Sequence, residues 1–269
     1  MKPLAAMPAG VVKGIRGVFC DIDDTLTSEG KLSARAYAAL ERLRAAGKLV
    51  VPITGRPAGW CDHIARMWPV DAVVGENGAF YFYYDAARKK LAQRFLFDAA
   101  TRAANREKMV AVRERILREV PGCALASDQL YREADLAIDY CEDVPRLADA
   151  EVDRIVALMR AAGMTAKVSS IHVNGWFGDY DKLGMTRTLM QERYGVDLAR
   201  DEARYLFVGD SPNDAPMFKS FSNSVGVANV ADFGARLTEA PAYVTRGRSG
   251  EGFIEMADCL LLGPRPASG

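Results

Sequence analysis

Histidine is almost missing. Only His63 and His172 occur in 269 residues, so a zinc site built on imidazoles has too few ligands, and a bound metal should be a hard cation held by oxygen. The cysteines, at 20, 61, 123, 141 and 259, are odd in number and form no Cys-x-x-Cys pair. That fits free thiols in a reducing cytosol. Charge excess is also absent: 35 Lys and Arg balance 35 Asp and Glu, and a neutral chain exerts no overall pull on nucleic acid or an anionic membrane. No apolar run approaches the roughly 18 residues of a membrane span. The opening stretch, broken by Pro3, Pro8, Gly10 and Gly14, lacks the apolar core of a signal peptide. The expectation is a cytoplasmic protein, monomer or homodimer, with no nucleic-acid and no membrane partner.

What is present is ordinary globular material, 49% hydrophobic and 26% charged, long enough for one large or two modest domains. Residues 15–21 form an apolar run that stops in acid, which reads as a buried parallel strand. Ser33 is an N-cap for a helix that Gly47 closes. Residues 48–54 read as a second strand, against which Pro52 counts. Pro57 fits the first position of a helix running to about Trp68, and 71–75 reads as a third strand. This alternation predicts a parallel sheet with crossover helices. The rhythm then changes: a hairpin at 79–84 and 91–97, a helix at 101–119, a strand at 131–140, a helix at 150–162, and one or two strands at 164–173. Parallel-type units return with a helix at 182–194, a strand at 204–210, a short helix near Ala215, and strands at 224–227 and 242–245. The tail, Gly-Pro-Arg-Pro-Ala-Ser-Gly, reads as loose. The expected fold is α/β: a Rossmann-like parallel-sheet core, 1–84 and 173–269, with an inserted α+β domain at 85–172.

Ligands in open parallel sheets bind outside the carboxyl ends of the strands. Two predicted strands end there in acid, Asp21-Ile-Asp23 and Gly209-Asp210, and a third ends in Thr54-Gly55-Arg56. If they are neighbours, Asp21, Asp23, Asp210 and Asp214 crowd one edge, which is costly without a cation. With no histidine nearby, Mg²⁺ fits best. Each piece also has a plain reading: a strand-end Asp can cap the next helix, Thr54 can be a turn residue, Arg56 and Lys182 can be solvated charges, His172 can be a packed strand-end residue, and Gly-Asp-Ser-Pro-Asn-Asp makes turns by itself. The ordered set of acid pair, Thr, Lys and second acid pair carries the functional reading.

That set resembles the haloacid dehalogenase superfamily of phosphohydrolases. Asp21-Ile-Asp-Asp-Thr25-Leu26 is similar to its nucleophile motif, Ile-Thr54-Gly-Arg to the second, Lys182 in Tyr-Asp-Lys-Leu-Gly to the third, and Gly209-Asp-Ser-Pro-Asn-Asp214 to the fourth. An insert between the second and third motifs, preceded by Gly75-Glu-Asn-Gly-Ala79, resembles the type IIB, Cof-like branch and its cap. The layout is most similar to small members acting on phosphoglycolate or sugar phosphates. One departure is Asp24, where the family often has Gly.

The resemblance implies a Mg²⁺-dependent phosphatase acting on a small phosphorylated metabolite. It implies that Asp21 forms an aspartyl-phosphate and that Asp23 serves as acid and base. Thr54 and Lys182 are implied to hold the phosphoryl group, and the ion to rest on Asp21, the Asp23 carbonyl and Asp210. Asn213 and Asp214 stand behind these groups, Asp214 orienting Lys182 or a metal-bound water. Gly55, Arg56, Asn77 and His172 are candidate substrate contacts. A phosphomutase or phosphotransferase differs only in the acceptor. A phospho-Asp signalling receiver is the rival of another class, but it is about half this length and places its acid pair and phosphoacceptor on different strands. A dinucleotide enzyme wants Gly-x-Gly-x-x-Gly where Asp21 stands.

Overall fold

The computed structural model describes residues 1–263; the expectation for the tail falls largely outside them. In chain order the elements are β1 (Lys2–Pro3), α1 (Ala9–Gly14), β2 (Gly17–Cys20), α2 (Ala34–Ala45), β3 (Leu49–Pro52), α3 (Ala58–Met67), β4 (Val73–Gly75), β5 (Phe80–Asp85) and β6 (Lys90–Phe95). Next come α4 (Ala99–Glu119), β7 (Ala124–Leu125), β8 (Asp135–Asp139), α5 (Asp149–Ala161), β9 (Thr165–Val168) and β10 (His172–Trp176). The chain closes with α6 (Lys182–Tyr194), α7 (Leu198–Asp201), β11 (Tyr205–Gly209), α8 (Ala215–Ser220), β12 (Val225–Gly226), β13 (Tyr243–Val244) and α9 (Ser249–Leu262).

Six strands form one parallel sheet in the order β1-β13-β12-β11-β2-β3. Its central strands are continuous apolar runs because both faces are covered. Val18, Cys20, Leu206 and Val208 pack on one face with residues of α2, α3 and α9, while Phe19, Val51 and Phe207 face α6 and α8 on the other. Pro52 is tolerated because the N–H groups of Leu49 and Ile53 point to the β2 side, reaching the Arg16 and Cys20 carbonyls, whereas Val50 points its N–H the other way, to the Asp71 carboxylate. Pro52 therefore has its missing donor on the side away from β2. A bridge between Ile53 and Val74 joins β3 to the small antiparallel sheet β4-β5-β6.

The insert has its own antiparallel sheet, β7-β8-β10-β9, and its own core, in which Met109, Ile116, Ile138, Ile155, Met159 and Trp176 meet. The boundaries differ from those expected. The hairpin β5–β6 pairs with β4, and Phe80, Phe82, Leu91 and Phe95 pack into the main core. Strand β10, expected with the core, lies inside the insert's sheet. Inward alternation of the aromatics in 80–82 decides the first case, and pairing with β8 the second. The 131–140 strand shortens to β8, because Gln129–Tyr131 is a 3₁₀ turn with Leu130 almost fully exposed.

Helices α1, α7 and α9 lie where the sequence reading expects none. In α9 the two early glycines are close-approach positions. A Cβ at Gly252 would lie 2.5 Å from the Gly247 carbonyl oxygen, and one at Gly250 would lie 3.0 Å from that of Leu26. Tertiary packing of Phe253, Met256 and Leu260 outweighs the propensity cost. Pro57 is the N-cap of α3 rather than its first helical residue.

Candidate active site

Strands β2 and β11 are neighbours, with Val208 opposite Cys20, so the acids that follow them meet at one edge. The Asp21 N–H donates to the Val208 carbonyl and extends the ladder by one residue. The chain then folds back: the amides of Thr25, Leu26 and Thr27 all donate to the Ile22 carbonyl, and the Thr25 hydroxyl donates to Asp210 Oδ1 at 3.2 Å. Asp24 takes φ +54 in this turn, a left-handed conformation in which glycine is unstrained and Asp is tolerated.

After β11, Ser211 and Asp214 form a capping box. Asp214 Oδ2 accepts from the amides of Asp210 and Ser211 at 3.1 and 3.3 Å. Its Oδ1 accepts from Lys182 Nζ at 2.7 Å. Gly209 makes room for this carboxylate, since a Cβ there would lie 2.3 Å from Asp214 Oδ2. Lys182 opens α6, which Asp181 caps by accepting from the Gly184 amide. Its ammonium also donates to Asp21 Oδ1 at 2.8 Å and reaches Asn213 Oδ1 at 3.4 Å.

Charge is unevenly matched here. Asp21 and Asp214 share Lys182, and Arg56 holds Asp23 through Nε and Nη2 at 2.8–3.0 Å. Among the described residues, Asp210 receives only neutral side-chain donors, Thr25 and the more distant Asn229. Burial pushes the Asp21 carboxyl up to about 7; Lys182 pulls against this, while Asp214 and Asp23 add to it. Burial, then Asp21 and Asp214, push Asp210 well above the usual carboxylate range. Burial would lower the Lys182 ammonium, but Asp21 and Asp214 outweigh it and raise it. Four carboxylates, Asp21, Asp23, Asp210 and Asp214, thus share two cationic side chains, Lys182 and Arg56. Carboxylate oxygens of the buried Asp21, Asp210 and Asp214 lie within 4.8 Å of one another, an all-oxygen donor set that suits a hard divalent ion. Asp214 is already committed to Lys182 and two amides, so Asp21 and Asp210 are the carboxylates free to face such an ion.

The remaining expected residues fall in different places. Thr54 is fully buried, and its hydroxyl accepts from the Arg56 amide. Gly55, Arg56, His172 and Asn213 line a cavity of about 10 Å³ with Asp21 and Asp23, room for about one water. Asn77 is not among the lining residues. It lies behind Gly55 at φ +54, with neither amide atom paired. Its neighbour Glu76 ties core to insert, accepting from the amides of Ala58, Glu133 and Ala134.

Several residues escaped sequence reasoning. The turn 169–171 between β9 and β10 covers the cavity, stapled by the Ser169 hydroxyl and by Tyr140, whose OH donates to the Ser169 carbonyl. Arg132 reaches the Gly55 carbonyl at 2.9 Å and is held by Asp128 and Asp135. Glu142 accepts from Arg56 and contacts His172. None has a motif around it, so no local signal could have found it.

Residues 18–104 match the family model of haloacid dehalogenase-like hydrolases. Among curated proteins, the chain is 30% identical over 253 residues to a phosphoglycolate phosphatase of Pyrobaculum neutrophilum, covering 93% of this chain and 97% of that one. It is 26% identical to a phosphoglycolate phosphatase of Methanospirillum hungatei, over 90% and 95% of the two chains. A crystal structure from Thermoplasma acidophilum superposes with a TM-score of 0.68 at 20% identity, covering 92% of this chain and 99% of that one. The Synechocystis sucrose-phosphatase, solved with sucrose and phosphate, gives 0.62 at 15% identity, with 91% and 98% covered. The last two likenesses concern the fold.

Proposed function

The chain belongs to the haloacid dehalogenase-like hydrolases and is a phosphatase, and we propose that it hydrolyses a small phosphomonoester, phosphoglycolate being the first candidate, through a phosphorylated Asp21. The carrying observation is the pairing of Asp21 with a fully buried Lys182 at the mouth of β2, with Asp23 in the same cavity. Two curated relatives that match nearly end to end carry the phosphoglycolate phosphatase name, which supports the substrate choice.

In this reading Asp21 attacks phosphorus, and Asp23 gives a proton to the departing oxygen and later takes one from water. Lys182 stays charged because two carboxylates hold it, and with the Thr54 hydroxyl it steadies the phosphoryl oxygens. Asp214 and Asn213 keep Lys182 in place. Asp21, Asp210 and the Asp23 carbonyl are the groups fitted to hold Mg²⁺, which when bound supplies positive charge against the phosphoryl oxygens. The insert acts as a cap that excludes water and selects the leaving group. Phosphate release from phosphoglycolate and from sugar phosphates, with and without Mg²⁺, tests the reading. Asp21→Asn should fold normally and lose several orders of magnitude in kcat; a near-normal rate in that variant refutes the covalent route.

A further inference from the structure

Arg56 has four neighbours, and they divide between the two parts of the molecule. From the core, Asp23 takes Nε and Nη2 at 2.8–3.0 Å, and the Trp60 ring lies against the guanidinium at 4.3 Å. From the insert, Glu142 Oε1 accepts from Nη2 at 2.7 Å, and Asp128 Oδ2 accepts from Nη1 at 3.4 Å. Asp128 is already gripped at both oxygens by Arg132 at 3.0 Å. Glu142 is therefore the insert's principal hold on Arg56. It is well seated: the Asp139 carboxylate accepts from the amides of Cys141, Glu142 and Asp143 and fixes the turn. Its second oxygen lies 2.8 Å from His172 Nε2, on the strand that lines the cavity.

We infer that Glu142 is a positioning residue for the reaction: with the insert docked, it fixes the plane of Arg56, and Arg56 in turn aims the Asp23 carboxyl at the leaving oxygen. This rests on the phosphatase reading, in which Asp23 hands its proton to the ester oxygen as the P–O bond breaks and the Asp21–phosphorus bond forms. A guanidinium fork fixes a carboxylate only when its own plane is fixed. Besides Asp23 itself, the core supplies the Trp60 face, about which the group can still turn. A second edge contact from the insert removes that freedom. Glu142 thereby couples docking of the insert to the geometry of the proton donor.

The test separates this role from that of a simple latch. Steady-state kinetics of Glu142→Gln and Glu142→Asp are measured with phosphoglycolate, whose alkoxide needs a proton to leave, and with p-nitrophenyl phosphate, whose phenolate leaves without one. For Glu142→Gln, kcat on phosphoglycolate should fall about 10–100-fold, a share of the 10²–10⁴ that positioned acid catalysis contributes. On the aryl ester it should fall about threefold or less, with KM for both within about threefold. Glu142→Asp should recover part of the loss. In an Asp23→Asn background, Glu142→Gln should cost nothing more on phosphoglycolate. Equal losses on the two esters, or a change confined to KM, overturn the proposal and leave Glu142 a latch. Failure of the underlying reading looks different: the unmodified enzyme releases no phosphate from either ester, or Asp21→Asn keeps full activity.

Discussion

Gly209→Ala is a one-methyl perturbation with a large expected effect. Gly209 closes β11 and has no unusual φ, so the substitution strains no backbone conformation. The difficulty is space. The added carbon would lie 2.3 Å from Asp214 Oδ2, 2.8 Å from Asp214 Cγ and 2.9 Å from a Phe207 ring carbon. Asp214 is the far end of a short side chain, but it cannot retreat freely: it accepts from the Asp210 and Ser211 amides and from Lys182. Moving it aside strands those donors. Overpacking costs about 1–3 kcal/mol, and a lost hydrogen bond to a charged group about 1.5–3 kcal/mol, so a destabilisation of roughly 3–5 kcal/mol follows. Lys182 would keep Asp21 as its one close carboxylate, so kcat should fall together with stability. Urea unfolding and phosphate release on the same preparation check both. The control is Gly195→Ala, at φ +65 on the end of α6 with open space around it, which should cost about 1 kcal/mol and leave kcat unchanged. A Gly209→Ala enzyme as stable and as active as the parent refutes the claim that Asp214 requires this glycine.

Three further outcomes are expected. Chelation with EDTA should abolish turnover, Mg²⁺ should restore it, and Mg²⁺ should raise the thermal midpoint of the parent but not of Asp210→Asn, reflecting a stabilisation of about 2.7 kcal/mol at a hundredfold excess over Kd. Asp24→Gly should be neutral or stabilising by up to about 1 kcal/mol, because it relieves a left-handed Asp; chemical denaturation measures it, and clear destabilisation contradicts the strain. Burial raises Glu142, but His172 and Arg56 outweigh it and hold the group at about 2, against an ordinary 4.5. Its contribution to docking of the insert is therefore complete above pH 4.5 and lost as pH falls through about 2. Trp60 fluorescence followed through an acid titration should report loosening within that window in the parent and no such step in Glu142→Gln.

Legibility of the sequence tracked the range of the forces involved. The ends of β2 and β11 could be read because a strand covered on both faces must be apolar until it meets the ligand edge, where Asp21 and Asp210 begin. The cap Ser33 and the stop at Gly47 act within a turn or two and leave local marks. Helix α9 hid behind glycines whose purpose is an approach to distant backbone. The edge of the insert was misplaced because an aromatic hairpin looks alike whichever sheet it joins. Arg132, Glu142 and the turn at 169–171 owe their positions to contacts between residues far apart in the chain, and no local periodicity encodes that.

Beside Asp21, the nucleophile of the proposed route, stands a thiol. Cys20 immediately precedes Asp21, is fully buried, and has its thiol pushed far up by burial and then by the adjacent carboxylate. A thiol that does not ionise is a poor target for peroxide or alkylating agents. Phosphatases that attack through cysteine are silenced by oxidants. On the proposed route this enzyme would carry sulfur one residue from its attacking oxygen, yet keep it chemically mute, so its activity is expected to survive oxidative episodes that shut down thiolate-based dephosphorylation.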